Sequence, residues 1–213
     1  MNNFDASNIV FSDVKKNRNG GKFVTLSSAS GNLYLQLPSL RAPFGVNPPN
    51  DQVKDYYLNL TLTPELEDKF RAIDERVLNY VHENSVALLN KQVDLNVMRD
   101  LLFTPIIRAS KDPKYAPTIK VKASTGNGKN IADVYNSKRE KVTIDDVTKG
   151  SSLETIIELS QIYFINGKFG VSMRLNQAKL SPSTRLTGYA FVDTKSDTGE
   201  EEEEIDIPDE AAE

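Results

Sequence analysis

The chain contains no cysteine, a single histidine, and no apolar run approaching the roughly 18 residues that a membrane-spanning helix requires. The first absence removes disulfides, thiolate zinc sites and cysteine nucleophiles, and it suits an intracellular protein. The second leaves catalysis poorly supplied. His82 lies four residues beyond Leu78 in a helical pattern, and nothing around it has the spacing of a nucleophile elbow or a metal-binding pair. It reads as an ordinary helix residue, and no enzyme, cofactor or metal site is expected. The start, "MNNFDASNIVF", has neither a basic stretch nor a long apolar one, which argues against secretion and against a membrane partner. A phosphate loop is missing too. "STGNGKN" (Ser124 to Asn130) has Ala123 where the first glycine should fall and Asn130 where Ser or Thr should be, so it reads as a basic surface loop.

What the chain does have is charge of both signs, kept apart. From Asp193 to Glu213 there are eleven acidic residues against Lys195 alone, a formal charge of −10, while the whole chain carries −4. Residues 1–192 therefore carry +6, from 25 basic and 19 acidic side chains. With 213 residues and 38% hydrophobic content, one core of good size is expected over 1–192. The acidic strip 193–213, short of apolar groups and dense in charge, is expected to stay disordered.

Short strand-like runs dominate: "NIVFSDVK", "KFVTLS", "NLYLQL", "DYYLNLTL", "IIRAS", "TIKVKAS", "VTI", the stretch from Thr155 to Leu180, and "TGYAFVD". One helix stands out. Thr63 suits the cap, Pro64 the first helical position, and Glu65 and Glu67 the positive end of the dipole. Leu66, Phe70, Ile73, Val77, Tyr80, Val81 and Leu88 then recur at intervals of mostly three and four, which predicts a core-facing helix to about Asn90. A shorter helix is predicted around Val93 to Phe103, stopped by Pro105. Many strands, a helical insertion over about 64–103 and no βαβ alternation point to a mainly β, α+β fold, a small barrel with an inserted helix.

The most informative ordered segment is "LSQIYFINGKFGVSMRLNQAKL". Asn166-Gly167 between two strand-like runs predicts a two-residue type I′ hairpin, because both turn residues must accept positive φ. Residues whose numbers sum to 333 then face each other. One face collects Ile162, Phe164, Phe169, Val171, Met173 and Leu175 for the core; the other collects Gln161, Tyr163, Ile165, Lys168, Ser172 and Arg174. Gly170 falls opposite Tyr163 and leaves its ring uncovered by a cross-strand neighbour. "TIKVKAS" repeats the pattern, with Ile119 and Val121 inward and Lys120 and Lys122 outward, and Arg108, Lys111, Lys114 and Tyr115 just precede it. A sheet surface that sets aromatic rings among cations suits a single-stranded nucleic acid, which offers base faces for stacking and phosphates to neutralise. Such a face can also be decorated for solubility alone.

"IYFINGKFGVSMRLNQAKL", the earlier "LRAPFGV" (Leu40 to Val46) and the acidic C-terminus together resemble the single-stranded DNA-binding proteins of nucleo-cytoplasmic large DNA viruses, which are similar to the OB-fold binding protein of the T-odd coliphages. The resemblance spans most of the chain. It implies an OB-fold-like five-stranded barrel with a long internal helix, binding of single-stranded DNA without sequence preference, and an acidic tail that competes for the groove and docks viral replication proteins. It makes Arg41 and Phe44 of "LRAPFGV" and the Tyr163, Lys168 and Arg174 face binding positions, beside Arg108, Lys111, Tyr115, Lys120 and Lys122. One departure is visible. The phage-type tail closes on an aromatic residue, this one on Ala211-Ala212-Glu213; electrostatic competition needs no aromatic, but docking does not share that independence.

The leading expectation is a non-enzymatic protein that protects and organises single-stranded DNA in viral replication or recombination, in the host nucleus or at a cytoplasmic replication site. A homodimer is compatible with it. The alternative is a virion or scaffold interaction module whose sheet face is merely solvated.

Overall fold

A long hairpin forms the spine of the protein, whose structure, a computed structural model, describes residues 5–18 and 20–182. All of these belong to one unit, Met1–Ser183. The strand expected through "TGYAFVD" and the acidic strip 193–213 lie outside the described residues. The hairpin turns at Asn166 (φ 52°) and Gly167 (φ 75°), both in the left-handed region that a type I′ turn demands. Its strands are β5 (Ser152–Ile165) and β6 (Lys168–Leu180).

From Ile165↔Lys168 to Gln161↔Ser172 the partners keep the expected register, but the register does not hold along the whole hairpin. Ser160 is an extra residue in β5, so Leu159 pairs with Met173 and Glu158 with Arg174; Asn176 is an extra residue in β6 and restores the first register at Ile156↔Gln177. Each bulge flips the side-chain parity of its own strand. Leu153, Thr155, Ile157 and Leu159 thus face inward before the bulge and Ile162 after it, as Met173 and Leu175 do before Asn176 and Ala178 after it. Of the expected core face, Phe169, Ile162, Met173 and Leu175 are buried, and Phe164 and Val171 are half-buried.

Other strands attach along this spine. β1 (Lys22–Ser28) pairs with β5 at Gln161–Tyr163, and β2 (Tyr34–Arg41) pairs with it from Ser152 to Glu158. On the other side β6 runs parallel to Phe103–Thr104, to β4 (Thr118–Lys122) and to Asp133–Tyr135, the last a strand not expected from sequence. β4 pairs antiparallel with β3 (Tyr57–Thr61), and β3 with Val46–Asn47. The mainly β, α+β class holds. Among the described residues the sheet does not close into a barrel; it is an open path ending at Val10–Phe11 and Val46–Asn47. Each hairpin strand is about twice the usual length and serves different partners at its two ends, so the sheet branches instead of closing.

Helix α1 (Pro64–Glu83) starts where expected, with Thr63 in the cap position, although its hydroxyl makes no capping bond. Its buried stripe is Leu66, Phe70, Ile73, Val77, Leu78 and Val81, with Asp74 among them. It stops short of Asn90, breaking at Asn84 before a second short helix, Ser85–Leu89. That helix ends on Asn90 (φ 61°), where the Lys22 ammonium donates to the Ala87 and Leu88 carbonyls at 2.9 and 3.2 Å, a cation at the negative end of the dipole. The helix expected over 93–103 is a single turn, Leu95–Val97, running into a π-helical turn, Met98–Leu102. No helix among the described residues is long and apolar enough to cross a membrane.

Candidate nucleic-acid interface

Two rows of side chains cross the outward face of the sheet. Near the hairpin tip, backbone pairing lines up Lys15, Phe23, Tyr163, Gly170 and Thr104 on adjacent strands. Val24 and Ile162, next along their strands, are fully buried, so Phe23 and Tyr163 point away from the core. Gly170 does more than leave the ring uncovered. A Cβ there would lie 2.7 Å from Tyr163 Oη, 3.0 Å from Tyr163 Cζ and 2.9 Å from the Thr104 carbonyl. The ring therefore lies down across the glycine instead of standing off the sheet, with Phe23 on its other flank. Lys168 and Ile165 are exposed at the tip beside it.

Further along, a second row runs Tyr34, Glu158, Arg174, Lys122, Tyr57 and Asn47. Lys122 is not free. Its Nζ lies 2.7 Å from Asp55 Oδ2, and Asp55 also accepts from Ser124 Oγ and the Gly128 N–H, each at 3.0 Å. Burial pushes the Asp55 carboxyl up, but these donors outweigh it and hold it below the usual carboxylate range. The "STGNGKN" segment is thereby a tight hairpin, Ser124–Thr125 against Asn130–Ile131, anchored on Asp55. Arg174 makes no ion pair among the described residues, and with Lys122 and Glu158 it lines a cleft of about 280 Å³.

The adjoining cleft is basic. About 250 Å³ in volume, it is walled by Asn47, Pro48, Asn50, Val53, Tyr57, Asn59, Arg108 and Lys120, with no carboxylate. The Lys120 ammonium stands 3.9 Å from the centre of the Tyr57 ring, a cation–π contact. Burial, and then the nearby Arg108 charge, hold the Lys120 pKa below its ordinary value. Two cations side by side without a counter-ion among the described residues make a place where an anion is favoured.

The remaining expected positions are scattered. Arg41, exposed, ends β2 opposite Ser152, eleven residues of β5 from Tyr163, or about 36 Å of extended strand. Phe44, 62% exposed, sits in the turn before Val46–Asn47, three residues from the Asn47 of the basic cleft. The turn is fixed by Gly45 (φ +68°), where a Cβ would come within 2.7 Å of the Thr148–Lys149 backbone. Lys111 is exposed in the 109–117 loop, and Tyr115, with Lys114 Nζ 4.9 Å from its ring centre, lines a different cleft against α1. The structure thus brings together Arg108 with Lys120, Lys122 with Arg174, and Tyr163 with Lys168. Tyr57, Phe23, Lys15 and Tyr34 were not singled out from sequence; the alternation in "DYYLNLTL" and "KFVTLS", with Leu58, Leu60, Val24 and Leu26 buried, carries the signal for the first two. Among the described residues no group of three or more His, Asp or Glu side chains could hold a metal.

No curated protein matches the chain. Its fold is similar to that of the single-stranded DNA-binding protein from bacteriophage Enc34 in complex with single-stranded DNA, at 14% identity and a TM-score of 0.47, covering 84% of this chain and 98% of that one. A C-terminal truncation of the same Enc34 protein matches at 12% identity and 0.47, over 85% and 99%. The single-stranded DNA-binding protein gp2.5 encoded by bacteriophage T7 matches at 17% and 0.44, over 70% and 91%. Residues 50–193 match a family of unknown function, DUF5871, a span that takes in the basic cleft's Tyr57, Arg108 and Lys120 as well as Tyr163 and Arg174. More than half of the chain lies within that match, and the protein belongs to this family of unknown function, DUF5871.

Proposed function

We propose that the protein binds single-stranded DNA on the outward face of its sheet, without base preference and without catalysing a reaction. The observation that carries this is the basic cleft, where Lys120 stands over Tyr57 with Arg108 beside it and no carboxylate in the wall. A ring and two cations that make no ion pair among the described residues, in an open cleft, suit a base and its phosphates. The Tyr163 platform, with Phe23 and Lys15 in its row, offers a second stacking place. Neither place surrounds a base with fixed donors and acceptors, so every base should be tolerated. The −10 strip of 193–213, set against the +6 of the rest, would compete for the same face at an effective concentration of around millimolar for a flexible tether. It would also offer viral replication proteins an acidic docking segment. Such a protein would act inside the cell, wherever viral DNA is copied or recombined.

The test is a fluorescence-anisotropy titration of the full chain and of a chain lacking 193–213 against a short oligonucleotide, at low and at physiological salt. Affinity should fall with salt at about −0.7 in the logarithm per phosphate neutralised. The shortened chain should bind more tightly, most clearly at low salt. Equal binding by the two chains would remove the competition. No binding by either would remove the DNA reading altogether and leave the interaction-module alternative.

A further inference from the structure

Residues 103–108 form a strap that touches both stacking places. At one end Phe103–Thr104 pairs with Phe169–Gly170, and the Thr104 carbonyl lies beside the glycine on which Tyr163 rests. At the other end Ile107–Arg108 pairs with Thr118–Ile119 of β4, delivering Arg108 to the basic cleft beside Lys120. Between them Ile106 is buried in the core, and the hydrogen bonds from the strap to an α1 side chain among the described residues run to Asp74. Both carboxylate oxygens of Asp74 accept the buried Ile106 N–H, each at 3.1 Å. Asp74 is the one charged residue on the buried face of α1, and nothing in the hydrophobic stripe calls for it. A packing role alone would be served better by leucine.

We propose that Asp74 is a positioning residue for the DNA-binding face: a latch that holds the 103–108 strap against α1 and so sets Arg108 in the cleft and Thr104 under the Tyr163 platform. This rests on the binding reading given above. The groups around Asp74 are Arg71 and Glu75 on its own helix, with Glu67 two turns earlier, Arg99 from the π-helical turn, and Tyr115 across the cleft that these residues line; the strap presents backbone N–H groups. Arg71 is paired with Glu67 and Arg99 with Glu75, so neither cation is committed to Asp74. Burial dominates and pushes the Asp74 carboxyl up to about 7, against the pull of the Ile106 and Ile107 N–H groups.

The sign follows from linkage. A carboxyl that holds its proton up to about pH 7 when the strap is closed, but only to about its ordinary 3.8 once the strap lifts and water reaches it, makes protonation favour the closed strap. Between pH 6 and pH 8 the closed-to-open ratio should fall roughly tenfold. The chain's one histidine, His82 in the last turn of α1, belongs to the side-chain type that ordinarily changes charge in this window, and it therefore needs a control.

The experiment is amide hydrogen exchange at Ile106 and Ile107 in the full chain between pH 6 and pH 8, corrected for intrinsic rates, alongside oligonucleotide affinity at fixed salt. The proteins are wild type, Asp74→Asn, and His82→Gln as the control. In wild type, protection of the strap should fall about tenfold across the window without a matching fall at Met173 or Leu175, and affinity should fall by up to the same factor. Asp74→Asn, which keeps an acceptor for Ile106 but cannot ionise, should flatten both profiles, and His82→Gln should flatten neither. Strap protection with the same pH profile in wild type and Asp74→Asn would overturn the latch. A pH-dependent strap with a pH-independent affinity would overturn its link to binding. A pH-dependent strap in a protein that binds no oligonucleotide would leave the latch standing and sink the DNA reading on which its role depends.

Discussion

Replacing Gly170 with alanine tests whether the Tyr163 ring rests where the geometry puts it. The new methyl group would sit 2.7 Å from the tyrosine hydroxyl oxygen and 2.9 Å from the Thr104 carbonyl oxygen, both closer than real Cβ contacts allow. The ring can swing away, but the Thr104 carbonyl belongs to a backbone paired with β6 and cannot move cheaply. Overpacking of this kind costs about 1 to 3 kcal/mol of stability. Binding should suffer separately, because a ring pushed off the glycine loses its stacking geometry, a loss of about 1 to 3 kcal/mol or roughly fivefold to 150-fold in affinity. A double-mutant cycle with Tyr163→Ala isolates the contact. With the ring gone, Gly170→Ala meets only the carbonyl and should cost less stability than in the wild-type background. It should cost no further affinity beyond the loss that Tyr163→Ala brings alone. Denaturant unfolding gives the first quantity and anisotropy titration the second. Gly170→Ala with wild-type stability and wild-type affinity, or two strictly additive substitutions, would refute the resting ring.

Tyr57→Ala should weaken oligonucleotide binding by about 1 to 3 kcal/mol and Tyr57→Phe by almost nothing, since stacking needs the ring and not the hydroxyl; equal losses in titrations of the two would point to the hydroxyl instead. Asp55→Ala should cost roughly 2 to 3 kcal/mol in denaturant unfolding at neutral pH, because it strands the Ser124 hydroxyl, the Gly128 N–H and the Lys122 ammonium. The folded state holds the Asp55 carboxyl below its ordinary 3.8, so its contribution is complete above that value and fades as the pH falls further. Wild type and Asp55→Ala should accordingly converge in acid, and a difference that persists there would mean the carboxylate charge is not what binds this corner together.

The hairpin was legible because its signals are local. Asn166-Gly167 fixes the turn, the alternation beside it fixes the faces, and both hold as far as Gln161↔Ser172. Beyond that point the register depends on bulges at Ser160 and Asn176, where the chain must bend to follow a curved core, and no residue type announces them. The start of α1 was legible for the same local reasons, its end was not: the break at Asn84 brings Asn90 onto Lys22, a partner far away in sequence. The basic cleft follows this rule. Lys120, Lys122 and Arg108 stand out as exposed cations in or beside strands, but whether each is free is settled by residues elsewhere in the chain. Asp55 takes Lys122, whereas Tyr57 supports Lys120 and leaves its charge available.

Those pairings decide what kind of binding surface this can be. Asp55 neutralises Lys122, and Glu158 stands between Tyr34 and Arg174 in the same row, so the face is not an unbroken basic strip. Lys15, Arg108, Lys120, Lys168 and Arg174 make no ion pair among the described residues, so in the proposed binding mode rings and separate cations would share the sequence-independent free energy. Tyr163 on β5 and Tyr57 on β3 are separated by β6 and β4, three strand spacings or about 14 Å across the sheet, and by the four residues from Gly170 to Arg174, or about 13 Å, along it. One base could not lie on both, so in the proposed binding mode the two platforms would hold different nucleotides, and Arg174 on β6, between their strands, would meet the backbone that joins them. Such an arrangement works only while the spacing is kept. In the proposal made above, the 103–108 strap, with Thr104 at the first platform and Arg108 at the second, would keep it, and the buried carboxylate of Asp74 would keep the strap. A change at Asp74 should therefore be felt at both platforms at once, whereas a change at Tyr57 or Gly170 is felt at one.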